Sequence, residues 1–390
     1  MADVYMYLKR HGARTIHEAA FCEVDGMILS RLSYAPLELL PPPEAYGPYT
    51  IGEAAGRLLT MPDLTDKLLW KEELRLLQAL RDSRRFREMK LSSWIGERDE
   101  RTQTQFFAVL IQLRESESFL AFRGTDDTLV GWKENFNMGF LCPVPAQELA
   151  VCYLEQAAGR QKGRFRLGGH SKGGNLAIYA AAFCAPAVQA RIDAVYNYDG
   201  PGFRKEVVNA PGYERVRDRI NTFVPQGSIV GMLLSRGEEQ TIVRSTQVNG
   251  VFQHDVYSWE IAGRQFVRLE HVTSVSRWIE LTLQDWITRM TQEERKCLVD
   301  TLYDIARETD AKTLTELGKN WPESMTRVLH AVQGLDEPTR RAVADAFSLL
   351  GRSAAKGGAA VIRQEARKGE AVREEGRGAS TRPHLTGPGA

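Results

Sequence analysis

The sequence predicts an α/β protein with a mainly parallel central sheet covered by helices on both faces. Three observations lead to this fold class. Between residues 91 and 290, short apolar runs of strand length alternate with stretches of helical periodicity. A Gly-x-Ser-x-Gly bend separates one of these strands from the helix that follows. The chain of 390 residues is 43% hydrophobic, which is enough for one large domain plus an appendage.

The first 90 residues are predicted to be helical. Val4–Arg10 and Val24–Tyr34 have amphipathic periodicity, and the second helix should end before Pro36. Leu40–Glu44 contains three prolines and predicts a stiff connector. Leucines recur at helical spacing between Ile51 and Glu88.

From residue 91 onward the pattern predicts alternating elements. The predicted strands are Phe106–Leu113, Phe119–Gly124, the run before Gly169, Ala194–Tyr198, Ile220–Val224, Thr241–Val248, Val251–Phe252 and Phe266–Leu269. The predicted helices are Gly131–Phe140, Ala146–Ala158, the stretch after Gly173, Tyr213–Arg219 and Val272–Met290.

The segment Arg164–Ala182 is the most informative part of the chain. An apolar run leads into Gly-His-Ser-Lys-Gly, with Ser171 in the middle, and a helix rich in small residues follows. Strand, sharp turn and helix with Gly-x-Ser-x-Gly at the bend is the nucleophile elbow of the α/β-hydrolase fold. A phosphate-binding loop is the competing interpretation, but it requires Gly-Lys-Ser/Thr, and Lys172 precedes Gly173 here. We therefore expect Ser171 to be a catalytic nucleophile.

A serine nucleophile needs a base, and in this fold the base follows the serine in the chain. The histidines after the elbow are His254, His271, His330 and His384. His254 comes after predicted strands and lies on a predicted loop, which favours it. His271 is the next alternative, although its place at the start of a helix favours a cap or core role.

The triad acid is less well defined than the base. Asp199 directly follows a predicted strand, at the sheet edge where ligands and catalytic groups gather in open α/β sheets. An ordinary turn aspartate in Asp-Gly-Pro-Gly is the competing interpretation. Asp255 is adjacent to His254 and is poorly placed to accept from its Nδ1. We choose Asp199.

Two backbone N–H groups are expected to bind the developing oxyanion. One belongs to Lys172, immediately after the nucleophile, and the other to Thr125, at the end of an earlier strand. Gly124 would allow close backbone approach there. A helix N-cap formed by residues 126–128 is an alternative role for the same segment, and both roles are compatible.

Composition narrows the class of protein further. Acidic and basic residues nearly cancel to a formal +1, which argues against a nucleic-acid partner or binding to an anionic membrane. The five cysteines are scattered without Cys-x-x-Cys spacing, which predicts reduced thiols and no zinc site. No signal peptide and no apolar run of spanning length is evident. We expect a cytoplasmic protein that needs no metal or organic cofactor and has no stable membrane insertion; its oligomeric state stays open.

Three regions are expected along the chain. Residues 1–290 should form the hydrolase domain, including the helical segment 1–90 at its N-terminus. Residues 291–350 should form a helical extension. Residues 351–390 are rich in Gly, Arg and Glu with few large aliphatic side chains, which predicts a disordered tail.

These motifs together resemble the class 3, fungal-type lipases. Phe122–Thr125 (Phe-Arg-Gly-Thr) and Gly169–Gly173 (Gly-His-Ser-Lys-Gly) are similar to the two characteristic lipase motifs. The chain resembles more narrowly a bacterial family of lipase-like α/β-hydrolases of unknown function, over about Tyr5–Val299. That narrower resemblance rests on five further segments: Phe21–Asp25, Leu32–Tyr34, Asp199–Phe203, Val224–Gly231 and Gln253–Asp255.

The resemblance implies an α/β-hydrolase fold with Ser171 as nucleophile, His254 as base, and Thr125 and Lys172 as oxyanion donors. It supplies no substrate. One departure concerns the acid, because class 3 lipases carry it after the strand that here ends at Val224. This chain has Ser228 at about that place, so Asp199 would have to replace it from the preceding strand.

The sequence leads to a functional hypothesis and one rival. The hypothesis is a serine hydrolase of lipase or esterase type that acts on a small-molecule ester or lipid-like substrate through an acyl-enzyme. The rival is a catalytically silent hydrolase fold that serves as a binding or scaffold module. The apolar segment Thr128–Phe140 could form a lid over the site or an ordinary core helix.

Overall fold

The fold is described from a computed structural model of the chain. The structure describes residues 2–126, 131, 133–134, 137–138, 141–248, 250–307 and 336–379. Within these residues the strands are β1 Tyr49–Thr50, β2 Lys90–Asp99, β3 Thr104–Arg114, β4 Glu117–Phe122, β5 Arg164–His170, β6 Ile192–Tyr198, β7 Ile220–Pro225, β8 Gln240–Val243, β9 Ile261–Ala262, β10 Gln265–Phe266 and β11 Arg268–Leu269.

The described helices surround these strands in sequence. They are α1 Val4–His11, α2 Glu23–Leu32, α3 Pro43–Tyr46, α4 Ile51–Leu59, α5 Leu64–Lys67, α6 Glu72–Asp82, α7 Pro145–Arg160, α8 Lys172–Phe183, α9 Pro186–Gln189, α10 Lys205–Val208, α11 Pro211–Val216, α12 Gly250–Gln253, α13 Ser274–Arg289, α14 Gln292–Arg307 and α15 Glu337–Ala379. Short 3₁₀ turns lie at Leu37–Leu39, Arg217–Arg219, Val230–Met232 and Val256–Ser258.

The main sheet has nine strands in the order β1-β2-β3-β4-β5-β6-β7-β8-β11 within the described residues. Strands β4 to β8 are parallel, whereas β1 to β4 are joined by antiparallel pairing and β11 pairs antiparallel to β8. Parallel neighbours require crossover connections. Helices supply them between β4 and β7, and an irregular segment with the 3₁₀ turn Val230–Met232 joins β7 to β8. The α/β fold class predicted from the sequence is confirmed.

Strand β3 shows how the two faces of the sheet are covered. Phe107, Val109 and Ile111 face a core formed with the N-terminal helices α1, α2, α4 and α6. The alternate residues Phe106 and Ala108 face a second core formed with α7 and α8. The N-terminal helical segment therefore packs on one face of the sheet that holds the elbow.

A buried ion pair ties helix α2 to the turn that follows α6. Arg85 Nη2 contacts Asp25 Oδ2 at 2.5 Å with both side chains 0% exposed, and Tyr7 donates to the same carboxylate at 2.7 Å. A buried pair of this kind depends on having every oxygen and N–H bonded. The Arg85 guanidinium also donates to carbonyls of residues 14–20, and the Asp25 oxygens also accept from Tyr7 and from the Cys22 N–H.

The C-terminal part differs from the sequence expectation. Helix α15 runs to residue 379, where disorder was expected from residue 351, and it packs against α13 through Trp278 Nε1 and the Ala354 carbonyl, 2.8 Å apart. Ala, Arg, Glu and Lys have high helix propensity, and contacts of residues 346–356 with α13 offset the poor propensity of the glycines in this stretch. Residues 380–390 lie outside the described residues, and the three domain boundaries stay a prediction.

Candidate active site

Strand β5 ends at His170 and helix α8 begins at Lys172, so Ser171 occupies the bend between them. Its backbone angles are φ 57° and ψ −132°, outside the ordinary regions for an L-residue. Such a conformation costs of order 1–3 kcal/mol and persists only where surrounding structure enforces it. Here the Ser171 N–H donates to the carbonyl of Tyr198 on the neighbouring strand, at 2.9 Å.

Two close approaches explain the glycines around this bend. A Cβ on Gly169 would lie 2.2 Å from the Gly173 carbonyl carbon, so strand and helix can meet only without a side chain there. A Cβ on Gly124 would lie 2.5 Å from the His170 carbonyl oxygen and 3.2 Å from Ser171 Cβ. The segment after β4, which carries the predicted oxyanion donor Thr125, therefore passes directly beside the serine.

Asp199 follows β6, the strand next to the one that ends at the elbow. It has φ 52° and is 0% exposed, and its N–H donates to the Phe223 carbonyl at 2.8 Å. Its Oδ1 accepts from Ser228 Oγ at 2.5 Å and its Oδ2 is 2.7 Å from His254 Nδ1. A buried carboxylate needs such donors to offset the loss of water, and both oxygens have one.

His254 follows the short helix α12, where the sequence predicted a strand at Val251–Phe252. Its side chain is 23% exposed, so the ring lies between the buried Asp199 and solvent. The preceding residue anchors the loop: Gln253 Oε1 accepts from the Gly227 N–H at 2.7 Å, and its carbonyl accepts from Trp259 Nε1 at 2.9 Å. The structure thus brings together His254 and Asp199, which lie 55 residues apart in sequence.

His170, the residue before Ser171, contacts His254. His170 Nε2 lies 2.8 Å from the main-chain carbonyl oxygen of His254, and the two imidazole rings are 4.5 Å apart at their centroids. Among the described residues no hydrogen bond joins Ser171 Oγ to His254. Catalytic hydrogen bonds of this kind are often long in the absence of substrate.

Thr125 lies in the segment after β4, and Lys172 is the first residue of α8. These two segments meet at Ser171. Thr125 Oγ1 is buried and has no hydrogen-bond partner among the described residues. Gln105 Nε2 is 3.4 Å from the Gly124 carbonyl, and that carbonyl belongs to the same peptide group as the Thr125 N–H. Since the two groups of a trans peptide point in opposite directions, this contact orients the N–H away from Gln105.

The side chain of Lys172 is tied to the same glutamine. Its Nζ donates to the Gln105 carbonyl at 2.6 Å, to Gln105 Oε1 at 2.7 Å and to Glu134 Oε2 at 2.7 Å. Lys172 and Glu134 have side chains that are 0% and 1% exposed. All three ammonium protons are therefore satisfied inside the protein, and the two segments that carry the candidate oxyanion donors are linked through Gln105.

Of the other histidines that follow the elbow, only His271 lies in the described part of the chain, and it does not contact Ser171, Asp199 or His254 there. His271 is exposed on the loop before α13, whose N-cap is Thr273, so it is neither the cap nor a core residue. His330 and His384 lie outside the described residues. No group of three or more metal-ligating side chains occurs in the described part of the chain.

Several residues around the site were not identified from the sequence. Arg31, Tyr34 and Glu73 contact His170 or each other from the N-terminal segment, and Gln105 and Glu134 bind Lys172. Their separations from the elbow reach 139 residues, and none of them belongs to a local motif. The short segment Leu32–Tyr34 carried the only sequence signal, through the family resemblance.

The expected lid falls mostly outside the described residues, which include only positions 131, 133, 134, 137 and 138 of Thr128–Phe140. Of these, Glu134 is buried and also accepts from the Ala146 N–H at 3.2 Å. Lys133 contacts Asp300 of α14 at 2.8 Å. No helix in the described ranges combines the length and apolar character of a membrane span.

The parallel sheet, the strained serine after β5, and the pair formed by Asp199 at the carboxyl end of β6 with His254 define the α/β-hydrolase fold. A family model described as Mbeg1-like matches residues 80–304, more than half of the chain. The chain belongs to the Mbeg1-like family.

Two solved lipase structures are similar to part of this chain. The Rhizomucor miehei lipase propeptide complex is 14% identical with a TM-score of 0.31, covering 47% of this chain and 68% of its own. The M37 lipase is 15% identical with a TM-score of 0.33, covering 54% and 69%. No curated protein matches the sequence.

Proposed function

We propose that this protein is a serine hydrolase that cleaves the ester bond of a small-molecule or lipid-like substrate. The observation that carries the proposal is the 2.7 Å contact between His254 Nδ1 and the buried Asp199 carboxylate, beside a serine in the strained elbow conformation. An acceptor at Nδ1 holds the proton there and leaves Nε2 with a lone pair to receive the serine proton.

The reaction would proceed through an acyl-enzyme. Ser171 Oγ attacks the ester carbonyl carbon as its proton passes to His254 Nε2, and the carbonyl π electrons move onto oxygen. The resulting oxyanion is bound by the N–H groups of Thr125 and Lys172, with Thr125 Oγ1 as a further donor. Collapse breaks the bond to the alcohol oxygen, which takes the proton from His254. Water then attacks the acyl-enzyme by the same steps and releases the acid.

Asp199 serves this cycle through its position and charge. Fixed by Ser228 on one oxygen, it holds the imidazole of His254 in one tautomer and stabilises the imidazolium that forms in each half-reaction. Its burial strengthens that interaction, since little water is present to screen it.

The test is steady-state and pre-steady-state hydrolysis of p-nitrophenyl esters of increasing acyl length. We expect a burst of p-nitrophenol equal to the enzyme concentration when deacylation is slow, followed by turnover, and none with Ser171→Ala. Ser93→Ala, which removes a buried hydroxyl on β2, is the matched control and should retain the burst. Absence of any Ser171-dependent hydrolysis across the series would favour the non-catalytic binding module.

A further inference from the structure

His170 is held by groups that determine where its proton lies. Its Nδ1 is 3.3 Å from Arg31 Nη1 and 3.2 Å from the Tyr34 hydroxyl. A guanidinium nitrogen can only donate, so Nδ1 must present its lone pair to Arg31. The proton of a neutral His170 is therefore on Nε2.

His170 is also kept neutral. Burial lowers the pKa of His170 well below its usual 6.5, and the neighbouring His254 and Arg31 lower it further. Arg31 is itself 3% exposed at its side chain and paired with Glu73 at 2.6 Å, with its guanidinium 4.0 Å from the centre of the Tyr34 ring. The cation beside His170 is thus fixed in place and cannot leave the site.

The proton on His170 Nε2 points at the main chain of His254. With that tautomer, the contact of 2.8 Å to the His254 carbonyl oxygen is a hydrogen bond donated by His170. It joins the main chain of the base to the residue immediately before the nucleophile. The side chain of His254 is anchored separately, by Asp199 at Nδ1.

We infer that His170 is a positioning residue that holds His254 in register with Ser171 through a hydrogen bond to the His254 main-chain carbonyl, with its tautomer set by Arg31. The effect of His170 on turnover rests on the proposed function. Its effect on the position of the His254 imidazole does not. Two anchors on one residue, at the ring and at the backbone, leave little freedom to misplace Nε2.

The experiment compares two variants of similar size at position 170. His170→Gln keeps both an N–H donor and an oxygen acceptor, whereas His170→Met keeps the volume and loses both. On a short p-nitrophenyl ester we expect His170→Met to lower kcat roughly 10- to 100-fold with KM nearly unchanged. His170→Gln should recover most of that loss. Equal kcat losses in the two variants, or no loss in His170→Met, would overturn the inference.

A second readout is independent of turnover. The proton between His254 Nδ1 and Asp199 should give a downfield ¹H NMR resonance in the wild-type protein, assigned by its loss in Asp199→Asn. We expect this resonance to broaden or exchange faster with water in His170→Met and to be retained in His170→Gln.

If the wild-type protein shows no esterase activity but the resonance behaves in this way, the proposed function fails and the positioning role stands. A resonance unchanged in His170→Met would contradict the positioning role even in an active enzyme. The same spectra show whether each variant is folded.

Discussion

Ser228 Oγ donates a hydrogen bond of 2.5 Å to Asp199 Oδ1, while His254 Nδ1 lies 2.7 Å from Asp199 Oδ2. The serine at the end of one strand thus supports the carboxylate that comes from the neighbouring strand. The Gly231 N–H donates to the same hydroxyl at 2.9 Å, which fixes the direction of the Ser228 proton. Both oxygens of Asp199 are thereby assigned to different partners, and the carboxylate has a single orientation toward His254.

Ser228→Ala should lower both stability and turnover. The change leaves one buried carboxylate oxygen without its donor, which costs about 1–3 kcal/mol in the free energy of unfolding. We also expect a lower kcat, because Asp199 can then rotate away from His254. Urea unfolding and ester hydrolysis measure the two effects. Ser93→Ala, which removes another buried serine hydroxyl, should lose stability alone; equal kcat values for the two variants would show that Ser228 has no part in orienting the acid.

Asp199→Asn should reduce kcat by about 10³- to 10⁴-fold while leaving the fold intact. The amide can present an N–H to His254 Nδ1, which favours the tautomer with the proton on Nε2 and blocks proton transfer from Ser171. The measurement is ester hydrolysis by the variant, with thermal unfolding to show that it is folded. Retention of near-normal turnover would exclude Asp199 as the acid, whatever its distance from His254.

Lys172→Met should destabilise the protein by about 3–5 kcal/mol, since it leaves the Glu134 carboxylate buried without its cation. Lys172→Met with Glu134→Gln should recover part of that loss. The double-mutant cycle, measured by urea unfolding, gives the coupling between the two residues. Additive single effects would show that the pair contributes no coupling, in contrast to the 2.7 Å contact and its near-complete burial.

Acid should destabilise the wild-type protein more than His170→Gln. The unfolded chain binds a proton at His170 as the pH falls through its usual pKa of 6.5, whereas the folded protein does not, because its pKa there is lowered. The contribution of His170 is therefore fully present above pH 6.5 and declines below it, by about 1.4 kcal/mol per pH unit.

Glu73 has the opposite effect on the free energy of unfolding of the wild-type protein as the pH changes. The His170→Gln variant, which keeps Glu73, is therefore needed as a reference. Burial raises the pKa of Glu73 to about 7, which makes stability decline as the pH rises from 4.5 to 7. Because Glu73 is present in both proteins, its contribution largely cancels in the difference. The free energies of unfolding of wild type and His170→Gln, measured from pH 7 to 5, should converge or cross. A difference independent of pH would contradict a buried neutral His170.

The sequence predicted those segments whose own hydrophobic pattern matches their burial in the folded protein. The apolar runs at β3, β4, β6 and β7 and the elbow itself were all predicted near their observed bounds. Strand β2 was missed, because residues 96–99 are Gly-Glu-Arg-Asp and only pairing with β3 makes the segment a strand. Strand β8 ends at Val243 since Ser245 leaves the sheet to form an isolated bridge with Trp259.

The residues of the candidate site likewise fall into those that local sequence patterns indicate and those that they do not. Ser171, Lys172 and Thr125 could be proposed because elbow and strand-end motifs are local, and Asp199 because strand ends gather at one sheet edge. The contacts of His170 could not be proposed, since Arg31 and Tyr34 reach it from α2 and the turn after α2, which pack on the opposite face of the sheet from α8, and Glu73 of α6 in turn pairs with Arg31. Nothing in their local sequence indicates which strand they will cover.

The most direct test of the account is reaction with a fluorophosphonate probe, followed by mass-spectrometric mapping of the modified residue. A serine activated by His254 and Asp199 should be phosphonylated at Ser171 with one probe per chain. Labelling should be abolished in Ser171→Ala and slowed by orders of magnitude in His254→Ala and Asp199→Asn. Labelling of Ser171 at the same rate in all proteins that retain it, or no labelling of the folded wild-type protein, would contradict the account.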